Sequence, residues 1–408
     1  MPTCDSRRVL ADLTHLRSIG AYKTGVHKPS LSPEHLASLK WLKGELDAIG
    51  HRTVIDGIGN VLGYADVKGP KLLGGSHLES QNHAGWLDGP LGVVYALEAA
   101  RAIKADPAFA DCAVDVGCWC DEEGHFGSFL GSRSFCGEVS EAEIDAAKDR
   151  TDRGTLRELL KAAGLAGTKR EVADAKRYIG YFEAHIEQGD WLEAHDLKIG
   201  VVTSIVGITQ TRIVFRGVQN HAGTTRMAIR KDAGLAAAKL AVAVDQRFPK
   251  LIGPRTVWTV GNIAFDPGSP SIIPGEAVML LQWRDTDPAV HVRLEAELKA
   301  IAAELDGKPC QVEVQIPRRT TPAAMAEHFQ AAIEAAAEAR APGKHTRIPS
   351  GAGHDAQIFA NHMPSSMMFV PSIGGISHHW TENTSDADIM LGAEVYVDAV
   401  ARMLKAAR

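Results

Sequence analysis

The chain has 408 residues, 45% of them hydrophobic and 23% charged, enough apolar sequence to bury the core of one very large domain or, better, of two. A net charge of −6 argues against a nucleic-acid binder, which would show a basic face, and no apolar run approaches a membrane span. The N-terminal MPTCDSRRVLADLTHLRSIG has charges inside its apolar pattern and is not a signal peptide, and the six cysteines show no CxxC pairing, so they read as free thiols of a reducing cytoplasm.

In chain order, residues 6–18 have apolar helical spacing through Val9, Leu10, Leu13 and Leu16. A clearer helix opens at Ser32-Pro33-Glu34, with serine as cap and proline in the first turn, and runs to a Gly50 stop. Two strand-like pieces, HRTVID and NVLGYA, lead to the apolar run Lys71-Leu72-Leu73. The stretch Gly75–Gly92 (GSHLESQNHAGWLDGPLG) then reads as a strand end, a glycine-rich loop and a helix start. Its helix continues from Val93 to Ile103. Residues 111–120 form another buried strand, in which Cys118 and Cys120 share a face as core thiols rather than zinc thiolates. That strand runs into Asp121-Glu122-Glu123-Gly124. Ser140–Leu165 reads as helical and charged, a solvated outer layer, and YIGYFEAHIEQG carries Glu183, His185, Glu187 and Gln188.

The texture changes near Gly207. The strand TQTRIVFRG, the polar turn NHAGTTRM, the helix Asp232–Val244, the strands RTVWTVGNIAF and GEAVMLLQWRD, the helix Val290–Leu305 and the strand CQVEVQIP follow one another. This β-α-β-β-α-β order predicts a small split-βαβ sandwich inserted into a larger domain. The boundaries are then 1–206 and 323–408 for the larger domain and 207–322 for the insert. Ala326–Arg340 is helical, IPSGAGHDAQ, MMFVPS and GGISHHWTENT follow, and a helix over Ala393–Ala406 closes the chain.

His77, Asp88, Glu123, His185 and His378 each sit where an apolar strand gives way to a glycine-containing loop. Zinc and similar cations take imidazole nitrogen and carboxylate oxygen. Two metals can share these five residues if Asp88 bridges, each taking Asp88 plus two others. Adjacent carboxylates at a strand end are costly unless paired or bound to a cation. Glu122, left without a metal beside Glu123, is a natural general base and proton shuttle.

The motifs GSHLESQNHAGWLDGPLGV, CDEEGHFGSFLGSR, AHIEQG, NHAGTTRM, SGAGHDA and GISHHW, in this order, resemble the M20-type di-zinc amidohydrolases. The nearest branch is that of the N-carbamoyl-L-amino-acid hydrolases, β-ureidopropionases and allantoate amidohydrolases. The resemblance implies an α/β mixed-sheet, metallopeptidase-like catalytic domain with an inserted ferredoxin-like lid, and a homodimer formed through the lid. It also implies two divalent ions per subunit, zinc or else manganese, cobalt or nickel. His77 and His378 become terminal ligands of different metals, Asp88 the bridge, Glu123 and His185 the remaining ligands, and Glu122 the base. His221 matches the lid histidine that reaches the partner's site and stabilises the tetrahedral intermediate. Arg284 matches the arginine that grips the substrate carboxylate with its planar fork. Gln188 and His354 match substrate-side positions.

Some positions depart from the family pattern. Glu79 stands where HxD has aspartate, and could still orient His77. Ser271 replaces the substrate-holding asparagine before Ile-Ile-Pro-Gly, Arg226 replaces a proline, and His379-Trp380 replaces Ser-Pro. Trp86 and Trp380 flank ligand loops and either shape a pocket or simply pack. His83, His125 and His379 lie near ligands but match no ligand position. The expected reaction is hydrolysis of a small N-carbamoyl amino acid. The alternatives are an amidase, aminoacylase or dipeptidase acting on an N-acyl amino acid, and a binding protein that has lost catalysis.

Overall fold

The strand Lys71–Ser76 is buried along its whole length, as a strand covered on both faces must be. In the computed structural model, which describes residues 1–408, it lies in the middle of a mixed sheet. Ser365–Val370, Gly180–Ile186, Lys71–Ser76 and Ala113–Cys118 run parallel, side by side in that order. Val61–Tyr64 and Arg52–Ile55 continue the sheet antiparallel beyond Ala113–Cys118, and Ile199–Ile205 lies antiparallel on the other side of Ser365–Val370.

Parallel strands need crossover helices, and these cover the sheet. The helix Pro90–Ala105 starts at Gly89, whose φ of +88° suits glycine. A Cβ at Gly89 would also meet the His77 imidazole. This helix is buried on nearly every side, because Ser6–Ser18 and Asp386–Ala406 pack over it. Arg8 grips the buried Glu98 carboxylate with Nε at 2.9 Å, and Arg101 pairs with Asp12 at 2.7 Å. Tyr95 and Tyr396 close the layer by donating to the carbonyls of Ile389 and Phe182.

The chain divides into two compact units, Met1–Thr203 with Ala324–Arg408, and Ser204–Ala323. The second has its own core. Its four strands stand in the order Val257–Asp266, Glu276–Asp285, Gly207–Arg216, Gln311–Arg319, every neighbour antiparallel. The helices Ala233–Arg247 and Pro288–Leu305 cover one face. In Glu276–Asp285 the alternate residues Ala277, Met279, Leu281 and Trp283 are buried against them, the period of two expected of a half-covered sheet. Strand order and connections are those of a ferredoxin-like sandwich.

The helical stretch 140–165 is interrupted. It forms two short helices, Glu141–Ala146 and Leu156–Ala162. The cause is local: Asp149 accepts from the Thr151 amide at 2.7 Å, and Gly154 adopts a φ of +124° that ends helical geometry. The last helix starts earlier than its apolar pattern suggests, at Asp386 behind a Ser385 cap. No helix is long and apolar enough to cross a membrane.

Candidate metal centre

The five candidate ligands of the first unit, with Glu122, gather at the carboxyl ends of the parallel strands, where open α/β sheets bind ligands. His77 follows Lys71–Ser76, Glu122 and Glu123 follow Ala113–Cys118, His185 lies within Gly180–Ile186, and His378 lies beyond Ser365–Val370. They converge on the buried Asp88. Its Oδ1 is 3.0 Å from His185 Nε2 and 3.5 Å from His77 Nε2. Its Oδ2 is 3.3 Å from His378 Nε2, which in turn is 3.7 Å from Glu123 Oε2. Two donor sets result, His77–Asp88–His185 and Asp88–Glu123–His378, each with its donor atoms within 4.8 Å of one another. One carboxylate shared between two such sets fits a pair of divalent cations.

The imidazoles are turned for this task. His77 Nδ1 donates to the Glu79 carbonyl at 3.1 Å and His185 Nδ1 to the Ile186 carbonyl at 2.8 Å, so both present Nε2 to Asp88. Glu122 Oε2 stands 3.8 Å from His77 Nε2, beside the first set. Gln188 Nε2 donates to Asp88 Oδ2 at 2.9 Å and to Ser377 Oγ at 3.0 Å. His354 meets His185 edge-on with ring centroids 4.6 Å apart, and its Nε2 is 3.0 Å from Ser350 Oγ.

A model of peptidase family M20/M25/M40 matches residues 70–402. The chain belongs to that family. It is 33% identical over 412 aligned residues to an N-carbamoyl-L-amino-acid amidohydrolase of Paenarthrobacter aurescens, covering 98% of both chains. It is 30% identical over 392 residues to an allantoate amidohydrolase of Escherichia coli, with 94% of both covered. A crystal structure of an amidase of the hydantoinase/carbamoylase family from Burkholderia phymatum superposes over 100% of both chains, with a TM-score of 0.91 and 45% identity. Like its family, the protein is a metal-dependent hydrolase of C–N bonds.

The electrostatics of this M20 centre are those of crowded, desolvated carboxylates. Burial pushes the Glu122 carboxyl well above the usual range; His77 opposes this and Glu123 adds to it. Burial acts the same way on Asp88, but hydrogen bonds from His185, His378 and His77 outweigh it and hold that carboxyl well below its ordinary value. His378 is raised to about 9, chiefly by its hydrogen bond to Asp88. His354 is held well below 6.5 by burial and by the neighbouring His185, and is neutral.

Several contacts have no counterpart in the motif reading. The contact that orients His77 comes from the Glu79 backbone; the Glu79 carboxylate is 3.8 Å away. That carboxylate instead accepts the Glu122 amide at 2.7 Å and faces His35 Nε2 at 3.5 Å, so it holds the base's backbone. Glu382 accepts from the amides of Asp88 and His378, each at 3.2 Å, and from Ser377 Oγ at 3.1 Å. It thereby ties two ligand loops together. The only sequence signal for it is a carboxylate four residues beyond His378. Trp86 is a packing residue: it is buried, donates to Asn383 Oδ1 at 3.2 Å and carries Arg17 over its ring at 4.8 Å. Trp380 is half-buried, with Lys23 Nζ 4.2 Å from its ring centroid.

His221, Ser271 and Arg284 belong to the second unit. His221 pairs with Ile272 in a two-residue bridge of strands, and Ser271 accepts from the Ala222 amide at 2.9 Å, so the two lie side by side. His221 Nδ1 accepts from the amides of Gly223 and Thr224 at 3.0 and 3.1 Å. The ring proton therefore resides on Nε2. Arg284 Nε donates to Gln282 Oε1 at 2.9 Å.

Proposed function

We propose that the protein hydrolyses a small N-carbamoyl (ureido) amino acid to the amine, carbon dioxide and ammonia, consuming one water. The observation that carries the reading is the pair of donor sets sharing Asp88, with Glu122 standing at their edge without belonging to either. Relatives named as N-carbamoyl-L-amino-acid amidohydrolases, matched over nearly the full length, support the substrate class.

His77, Asp88 and His185 would hold one divalent ion, and Asp88, Glu123 and His378 the other; zinc suits the donors, as do manganese, cobalt and nickel. The ions supply Lewis acidity, which stabilises the negative charge that builds on the ureido oxygen. Glu122 takes the proton from the attacking water and delivers it to the departing nitrogen. Its burial raises its proton affinity, the direction that favours a proton shuttle. His221, with its proton on Nε2, donates to the developing oxyanion. Arg284 receives the substrate carboxylate in a two-pronged, charge-assisted pair. Gln188, His354 and Ser271 complete the substrate contacts. The second unit acts as a lid and as the dimer contact, so that His221 serves the partner's centre. The six cysteines, none of them in a disulfide, suit a cytoplasmic enzyme.

The test is a panel of N-carbamoyl, N-acyl and allantoate-type substrates assayed for ammonia, with and without prior chelation. N-carbamoyl amino acids should release ammonia, chelation should abolish the release, and zinc, manganese or cobalt should restore it. Turnover of N-acyl amino acids alone, with no ammonia from any ureido compound, would replace the reading by an aminoacylase.

A further inference from the structure

Gln81 lies in the loop between His77 and Asp88, and Arg150 lies near the second of the two short helices. Neither is a ligand-type residue, yet both converge on Glu123. The Gln81 amide nitrogen donates to Glu123 Oε1 at 3.2 Å, and its side-chain Nε2 donates to Glu123 Oε2 at 2.6 Å. Each carboxylate oxygen therefore has its own donor, which fixes the plane of the group. Gln81 Nε2 also reaches the Glu123 backbone carbonyl at 3.1 Å.

A glutamine amide can turn over and present its oxygen instead, and that orientation would place two acceptors face to face. Arg150 prevents this. Its guanidinium, which has no acceptor, donates through Nη2 to Gln81 Oε1 and through Nη1 to the Glu123 carbonyl at 3.2 Å. With Oε1 committed to Arg150, Nε2 must face Glu123.

The two donor sets differ in how firmly they are held. His77 and His185 are buried, with Nδ1 of each anchored on a backbone carbonyl. His378 has a side chain 52% exposed and a φ of +55°. Glu382 holds the backbones of Asp88 and His378, but the exposed His378 ring has no such anchor, so the Asp88–Glu123–His378 set leans on Glu123, and Glu123 on Gln81 and Arg150.

We infer that Gln81, locked by Arg150, is a positioning residue that sets the affinity of the Asp88–Glu123–His378 metal position, the more exchangeable of the two. This rests on the two-metal reading above. Contacts of this kind beyond the ligands are worth about 10- to 100-fold in metal affinity.

The experiment titrates the chelator-stripped full chain with cobalt(II), followed by calorimetry and by the visible bands of the bound ion. Wild type should take up two equivalents in a tight and a weaker step. Gln81→Ala should weaken the second step by about 10- to 100-fold and leave the first within about twofold. Arg150→Gln, a change at an exposed side chain that leaves the fold intact, should move the same step in the same direction by a smaller factor. Arg150→Lys should restore much of it. Two equivalents with both steps weakened equally in Gln81→Ala, or with the second step unmoved, would overturn the inference alone. Fewer than two equivalents in wild type would overturn the two-metal reading and the inference with it.

Discussion

Lys28 is fully buried, and its ammonium has one hydrogen-bond acceptor, the Leu16 carbonyl at 3.3 Å. Burial lowers its pKa from 10.5 to about 8, against the weaker pull of Cys118 and Glu79 in the other direction. At about 1.36 kcal/mol for each tenfold change in proton affinity, keeping the charge inside the fold costs about 3 kcal/mol. Lys28→Met retains the unbranched chain, removes the charge and leaves the Leu16 carbonyl with the Ile19 amide as its donor. Near neutral pH it should stabilise the protein by up to about 3 kcal/mol, since a buried charge without a carboxylate partner is a net cost. With an unfolding entropy of about 2.1 cal/mol/K per residue, that is a rise in Tm of about 3–4 °C. The effect has a pH signature. Below pH 8 the lysine is protonated in both states and the full penalty is present. Between 8 and 10.5 the folded state sheds its proton first, so the penalty fades as pH rises. The Tm gap between variant and wild type should thus be widest at pH 7 and close by about pH 10.5, in paired thermal melts. A gap that stays constant over this range, or a variant less stable than wild type at pH 7, would refute the reasoning.

Three further outcomes bear on the site. Glu122→Gln should lower kcat by about 10²–10⁴-fold, the usual worth of a proton-transfer group, while metal content measured by elemental analysis stays near wild type; loss of the metals would make Glu122 a ligand instead. Arg284→Lys keeps the charge but loses the fork, so KM should rise well above wild type. Amidating the substrate carboxylate should hurt wild type far more than the variant; equal turnover of acid and amide would end the carboxylate assignment. Mixing inactive His221→Ala with inactive Glu122→Gln subunits should recover part of the activity, because one centre of a mixed dimer has both groups intact. No recovery despite proven subunit exchange would mean that each site is built from a single chain.

The order of elements was legible in the sequence because each follows from local chemistry. Period-two burial in Glu276–Asp285, the unbroken apolar run at Lys71 and the Ser32-Pro33 cap all act within a few residues. His77, Glu123 and His185 were legible for the same reason, as polar residues at or close behind the end of an apolar strand; Asp88 lies just before the helix Pro90–Ala105 and His378 well beyond Ser365–Val370, so the fold brings those two to the strand ends. The helical texture of 140–165 was legible too, but not its interruption, which an Asp149 turn and the backbone of Gly154 impose between two short helices.

What tertiary structure alone decided is which distant residues share an atom. Glu382 reaches the Asp88 amide across 294 positions, Gln188 reaches its carboxylate across 100, and Gln81 grips Glu123 across 42. Nothing in residue type marks Gln81 or Glu382 as belonging to the centre, because a glutamine or glutamate in a loop is ordinarily solvated. Nor does sequence pair His77 with His185 and Glu123 with His378. That division depends on which strand ends lie next to each other, and on the two faces of one carboxylate, Oδ1 and Oδ2 of Asp88. Lys28 illustrates the same limit from the side of stability. Its neighbours in the chain, His27 and Pro29, do not mark it as buried, and only packing takes its ammonium out of water, where desolvation lowers its pKa.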